Sequence, residues 1–329
     1  MWRWQGCAVG AALLLVTQAA AGNDYPQWHL TEARVPNAEN LLYTLSYSGI
    51  LSAYVWAELA DVAVSAPAAQ RPFAGQPSCE LSLRLSTEDH GFAELLRPVR
   101  YHWRSRVSPD LLRAYLAEEI DDGKRQRHRT VWLDWENGKV ELYRKRQLVA
   151  VPQYAPDDEE NLGNQQFSWE HDGDKALPAF LDTRPRIDAQ LSSLVFDKAV
   201  QLPTDEPIIE PLASLFAVRW HDFDASGELP MTVSYRDEIN ANRARLIGRE
   251  TIALAQSTAA TLRVAIMRSN EEEAGKEGTL TLWLSDDPRR LPLQIEIDAG
   301  FGKLRLQIAE ASHQEQPPPA RCVAPAPSR

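Results

Sequence analysis

The chain has 329 residues, with 35 basic against 46 acidic side chains and a net charge of −11 at neutral pH. That balance argues against nucleic acid, or an anionic membrane surface, as the partner, and it reads most simply as solubility. With 22 prolines and many short apolar alternations, strands are favoured over helices.

The first residues, Met1-Trp2-Arg3-Trp4-Gln5-Gly6-Cys7, precede an apolar run from Ala8 to Val16 and then Thr17-Gln18-Ala19-Ala20-Ala21-Gly22. A charged start, a short apolar stretch and a small-residue site make a secretory signal peptide, residues 1–21, cleaved after about Ala21. The expected compartment is the bacterial periplasm. The apolar run is far below the ~20 residues that span a bilayer, and charges interrupt every later one, so no transmembrane segment is expected. Cys7 stands ahead of the apolar run rather than after it, so a lipid anchor is not expected. Removal of the leader leaves Cys79 and Cys322, a candidate disulfide between a front strand and the C-terminal tail.

Residues 22–40 are polar and read as a lead-in, and a single β-rich domain is expected over 41–310. Leu41 to Tyr47 alternates as a strand, Ser48-Gly49 turns, and Ile50 to Leu59 resumes. Cys79 to Ser86 alternates with Leu81, Leu83 and Leu85 inward. Leu95 to Val107 is strand-like, and Ser108-Pro109-Asp110 opens a turn or short helix over Leu111 to Leu116. The clearest hairpin joins Thr130–Trp135 to Val140–Tyr143 through Asn137-Gly138, a pair suited to the positive φ values of a type I′ turn. An irregular charged excursion fills about 144–185. Helical spacing follows at Ile187–Phe196 and Glu210–Arg219. Strands then return at Met231–Tyr235, Ala244–Leu254, Thr261–Met267, Leu280–Leu284, Leu293–Ile297 and Lys303–Ile308, with turns at Gly248, 271–278, 286–288 and 300–302. Residues 311–329 form a Pro-rich flexible tail.

No chemistry-bearing motif emerges. The seven histidines fall at no short ligand spacing, so no metal and no cofactor is expected. Gly-x-Ser-x-Gly, Ser-x-x-Lys and a Cys with a local partner find no convincing match, and no enzyme activity is expected. Ten tryptophans are an excess; in strands they pack cores and rims, or line an apolar cavity.

The segments Glu210-Pro211-Leu212-Ala213-Ser214-Leu215-Phe216-Ala217-Val218-Arg219 and Trp283-Leu284-Ser285-Asp286-Asp287-Pro288-Arg289-Arg290-Leu291-Pro292 resemble the exported bacterial family called domain of unknown function 3108. Its opening Tyr-x-x-x-Tyr-x-Gly is matched by Tyr43, Tyr47 and Gly49. Its Ser-Pro after a strand is matched by Ser108 and Pro109, and its Gly-x-Glu by Gly248 and Glu250. Glu210 departs from the usual Asp, and the long segment between 150 and 209 is extra. The resemblance runs over roughly 41–310 and implies an exported β-sheet fold with no assigned activity. The chain is also distantly similar to periplasmic lipoprotein carriers, whose curved antiparallel sheet closes around an apolar cavity under short helices.

The expected fold is therefore a curved antiparallel sheet, or open half-barrel, with a few short covering helices. The leading functional expectation is a non-enzymatic periplasmic protein binding a lipid-like apolar ligand in the concavity of its sheet. Its candidate lining is Tyr43, Tyr47, Trp103, Trp132, Leu215, Phe216 and Trp283. The alternative is an envelope scaffold or interaction protein with a filled core, its partner docking on an exposed sheet edge or the acidic excursion; an unrecognised hydrolase ranks last.

Overall fold

The computed structural model describes residues 39–49, 57–66, 72–96, 98–123, 127–146, 148–150, 167–169, 177–181, 194–203, 206–269, 280–298 and 302–313. The strands are β1 (Glu39–Gly49), β2 (Ala57–Ala66), β3 (Cys79–Ser86), β4 (Arg100–Val107), β5 (Ala114–Asp121), β6 (Arg127–Asp134), β7 (Lys139–Lys145), β8 (Leu148–Ala150), β9 (Phe167–Trp169), β10 (Leu194–Gln201), β11 (Ile208–Ile209), β12 (Glu228–Tyr235), β13 (Glu238–Ala253), β14 (Thr258–Arg268), β15 (Leu280–Ser285), β16 (Pro292–Asp298) and β17 (Gly302–His313). The helices are α1 (Gly91–Leu96) and α2 (Pro211–Trp220). None of the described helices is long and apolar enough to cross a membrane.

Fifteen strands make one sheet in the order β10-β7-β6-β5-β4-β3-β2-β1-β17-β16-β15-β14-β13-β12-β11, and β8 pairs with β9 apart from it. The first and last strands of the sequence thus pair at its middle, and two meanders run outward from them. The outer strands β10 and β11 are nearly consecutive in sequence, Gln201 to Ile208. Seven residues of extended chain reach about 25 Å at most, so the two edges must approach each other and the sheet must roll up. Contacts across the roll follow: Arg113 forms a bridge with Ile208, and the Lys198 ammonium on β10 pairs with Asp237 in the β12–β13 turn.

Alternation decides which side chains enter the roll. Leu41, Tyr43, Leu45 and Tyr47 point inward from β1, and Val131 and Leu133 from β6. Leu262, Val264 and Ile266 do so from β14, and Leu280, Leu282 and Leu284 from β15; all are buried in one core. The outer face carries cross-strand ion pairs such as Arg106–Glu80 at 2.6 Å and Arg305–Glu296 at 2.6 Å. The expected architecture, an open curved sheet with few helices, is the one found.

Several local expectations are corrected. Gly49 is no turn but the last residue of β1, paired with Gly302; Ile50–Trp56 lie outside the described residues. Leu111–Arg113 is a turn with Leu111 at φ 62°, and no helix forms before β5. α1 ends at Leu95–Leu96, where a strand was expected to begin, so that strand starts only at Arg100, and the end of the expected helix, Leu194–Phe196, lies in β10, since it pairs with β7. The β6–β7 hairpin is present, but its loop is Trp135 to Gly138 and only Gly138 has positive φ, so it is not a type I′ turn. Asp134 instead accepts from the Asn137 amide at 3.1 Å. Gly248 marks a register shift inside the long strand β13 rather than a turn. Cys79 is disulfide-bonded, while Cys322 lies outside the described residues.

One glycine is dictated by close approach. At Gly302, with φ 154°, a Cβ would fall 2.7 Å from the Ser48 carbonyl oxygen and 2.7 Å from the Tyr47 ring. Gly302→Ala is expected to destabilise the protein by about 2 kcal/mol or more, because backbone must shift at the β1–β17 seam. Urea denaturation of the two proteins measures it; an unchanged midpoint would show that the seam is loose.

Candidate functional site

The α2 sequence, Pro-Leu-Ala-Ser-Leu-Phe-Ala-Val-Arg-Trp, is apolar on nearly every side, and such a helix belongs inside a protein. It packs against β12, β3 and β4 within the roll, with Pro211, Leu212, Ala213, Ser214, Phe216, Ala217, Val218 and Arg219 all buried. It is the plug of the roll, occupying the concavity itself rather than covering an open face.

A plug helix leaves its first amides without water, so they need an internal acceptor. Glu210 supplies it: its carboxylate accepts from the Leu212 amide at 2.8 Å and from the Ala213 amide, and Pro211 at the first helical position has no N–H to satisfy. Complete burial pushes the Glu210 carboxyl up to about 7, against the pull of those amides and of Ser105 and Trp103. At the other end Arg219, 2% exposed, forms a bidentate pair with Glu39 of β1 at 2.6 and 3.0 Å. The same guanidinium donates to the Arg290 carbonyl at 3.1 Å and the Arg289 carbonyl at 3.2 Å in the β15–β16 turn. Tyr43 donates to the Pro292 carbonyl at 2.8 Å beside it.

Beyond the N-terminal end of the plug, the inner face becomes polar. Trp103 stacks on Tyr235 across the roll, with centroids 5.7 Å apart and planes 14° apart. Around them Ala117, Glu119, Val131, Leu133, Glu210, Ser234 and Arg236 line a narrow cleft with about 10 Å³ of internal space. A second cleft, also of about 10 Å³, shares Glu119 and Arg236 with it and adds Tyr101, Asp121, Arg127 and Arg129. Each has room for about one water and lies far below the ~300–1,000 Å³ of sites that swallow a drug-sized ligand. The Arg236 guanidinium, held against the Tyr235 ring, pairs with Glu119 at 3.4 Å. At the same end of the roll, α1 holds Phe92, Leu95 and Leu96 in solvent at 75%, 83% and 68% exposure. A bidentate Arg100–Glu94 pair, at 2.9 and 2.8 Å, fixes this short helix.

The seven residues expected to line a cavity separate into two groups. Tyr43, Tyr47, Trp103 and Phe216 are buried inside the roll and Leu215 packs partly buried against them, but they are core around the plug, and Trp103 alone reaches the cleft. Trp132 and Trp283 do not face the concavity. Their neighbours Val131, Leu133, Leu282 and Leu284 point inward, so alternation sends both indoles to the convex face. There Trp132 packs edge-on against Phe180, 5.0 Å away, and the Trp283 indole N–H donates to Glu250 at 2.6 Å. The cleft residues Glu119, Asp121, Arg127, Arg129, Ser234 and Arg236 were missed. The available signal was Arg127-x-Arg129-x-Val131-x-Leu133, one strand face that changes from charged to apolar.

Residues 183–309 match the model of a family described as "Protein of unknown function (DUF3108)". The resemblance is thereby borne out over the C-terminal stretch, which includes α2 and the Trp283–Pro292 segment. Tyr43, Tyr47, Gly49, Ser108 and Pro109 lie outside the match. No curated protein matches the chain. Among solved structures, it is similar to a "Beta-barrel-like Protein of Domain of Unknown Function DUF1849" from Brucella abortus, with 7% identity and a TM-score of 0.45, over 84% of this chain and 97% of that one.

The two pins give separate tests. Arg219→Met leaves Glu39 buried and unpaired and is expected to cost about 3–5 kcal/mol. The double variant with Glu39→Leu should recover much of that, and a double-mutant cycle in guanidinium chloride reads the coupling. Additive losses would mean that the pair does not hold the plug. Glu210 gives a pH dependence of fixed sign. Its folded carboxyl holds the proton more tightly than the unfolded one, so its contribution is full below about pH 4.5 and is lost as the pH rises through about 7. The loss is about 3 kcal/mol at most. Glu210→Gln should flatten that slope between about pH 5 and pH 8, and an identical slope in both proteins would refute the assignment.

Proposed function

We propose that this protein is a non-enzymatic binding protein of the bacterial periplasm, engaging an envelope partner at the rim of a plugged, rolled sheet rather than carrying a lipid inside it. The observation behind this reading is the position of α2. The volume that an acyl chain would need is filled by Leu212, Phe216, Val218 and their neighbours, all buried. Withdrawing this helix would expose those side chains and leave the Glu39 carboxylate buried without its guanidinium, at a cost of several kcal/mol. A lipid carrier would have to repay that cost with every ligand.

What remains open is the end of the roll where the Trp103–Tyr235 cleft, the arginine-lined mouth and the exposed apolar face of α1 lie together. Aromatic and arginine side chains are those most enriched in binding hot spots. The secretory leader read in residues 1–21 supports the compartment, and the absence of any recognisable catalytic motif in the sequence supports a non-enzymatic role.

Native mass spectrometry of the protein purified from the periplasm tests this directly. The expected mass is that of the chain beginning at about Gly22, without an adduct; organic extracts should be empty and a fluorescent fatty acid should not be taken up. A co-purifying lipid would overturn the rim reading in favour of a carrier. A mass retaining residues 1–21 would overturn export with cleavage.

A further inference from the structure

The charges of the mouth are arranged in a way that a purely structural rim does not require. On the paired strands β5 and β6, Glu119 stands opposite Arg129 and Asp121 opposite Arg127. Opposite charges in those positions ordinarily pair, yet here the carboxylates are engaged elsewhere. Glu119 takes Arg236 at 3.4 Å, and Asp121 accepts from the Gly123 amide at 3.1 Å. Arg127 and Arg129 are half-buried, line the cleft, and make no ion pair among the described residues. Arg144, opposite Arg129 on β7, adds positive charge and pairs with Asp197 at 3.5 Å.

Two further observations point inward. The Ser234 hydroxyl lines the inner cleft, is 3% exposed and has no hydrogen-bond partner; a buried hydroxyl ordinarily has one. Arg236 sits in a two-residue hairpin with φ 54°, a conformation that glycine or asparagine adopts far more readily. The backbone accepts strain to aim a guanidinium across the mouth.

We infer that this mouth binds a small monoanion, a carboxylate seated on Arg127 and Arg129, with the body that carries it left outside the narrow cleft. Three arginines face two carboxylates in the outer cleft, leaving one uncompensated positive charge, which matches a carboxylate better than a phosphate dianion. Guanidinium groups recognise the planar carboxylate bidentately. The assignment rests on the reading that this rim is the protein's binding surface. The same chemistry is offered by a free organic acid or by the C-terminal carboxylate of a peptide.

The test is calorimetric titration of the full mature protein with hexanoate, benzoate and N-acetyl-phenylalanine, each against its uncharged methyl ester or amide, and with inorganic phosphate. At least one acid should bind at least ten-fold more tightly than its neutral counterpart and than phosphate. Arg127→Gln with Arg129→Gln should weaken it at least ten-fold at an unchanged melting temperature. Arg236→Gly should weaken binding while melting no lower than the wild type, because it relieves the turn. Preference for hexanoate or benzoate would identify a free acid as the source; preference for N-acetyl-phenylalanine would identify a chain terminus. Equal binding of acids and neutral forms, undiminished binding in the double arginine variant, or no binding of any acid would overturn the inference. The last result, with a lipid-free native mass, would remove this ligand class and leave the rim reading standing; a co-purified lipid would remove the rim reading itself.

Discussion

A helix placed inside a rolled sheet has to satisfy its end groups, and any charge it brings, where water does not reach. In this protein the Arg219 guanidinium is that charge, and it makes four hydrogen bonds, two to the Glu39 carboxylate and one each to the carbonyls of Arg289 and Arg290. The arrangement joins three segments distant in sequence: the start of β1, the end of α2 and the β15–β16 turn. At the opposite end of α2, Glu210 closes the first turn and abuts Ser105 and Trp103. Between these pins the helix supplies the apolar filling that lets fifteen strands curve around one core.

The same geometry explains why the segments that carry the family resemblance are spaced as they are. Tyr43, α2 and the Trp283–Pro292 stretch converge at the Arg219 end through the bonds to Glu39, Arg289, Arg290 and Pro292. The Gly248–Glu250 segment reaches the same turn region by accepting from Trp283. Ser108 closes its own turn by accepting from the Arg113 amide at 2.9 Å. In these segments Tyr43, Ser108, Arg219, Glu250 and Trp283 fasten the plug or a sheet corner. Glu210 in place of Asp fits this account: the longer side chain still reaches the amides of Leu212 and Ala213.

Sequence reading reached the fold because alternation and proline punctuation are local properties. Leu81 and Leu85, Thr130 to Tyr143 and the strands from Met231 onward were placed from their own residues alone. The plug was legible as a helix at 210–219, but whether it covers the sheet or fills it depends on the sheet's curvature. That curvature follows from the short connection between β10 and β11, which shows only once the strand order is known. The cavity-lining residues failed for a more specific reason. Tryptophan was taken as a mark of the inner face, whereas Val131 and Leu133 on either side of Trp132, and Leu282 and Leu284 around Trp283, already assign the indoles to the outer one. Arg127 and Arg129 were not singled out, because a charged residue on an inner face is recognisable only after parity has identified that face.

The central claim is that α2 is a fixed part of the core and leaves only the rim for recognition. Hydrogen exchange of the α2 amides under native conditions, followed by mass spectrometry against denaturant concentration, tests it most directly. If the account holds, the amides of Ser214 to Trp220 exchange only through global unfolding, with the same free energy and denaturant dependence as the central strands β1 and β17. Exchange of those amides through a low-energy local opening, while β1 and β17 stay protected, would show that the plug leaves the roll on its own and would contradict it.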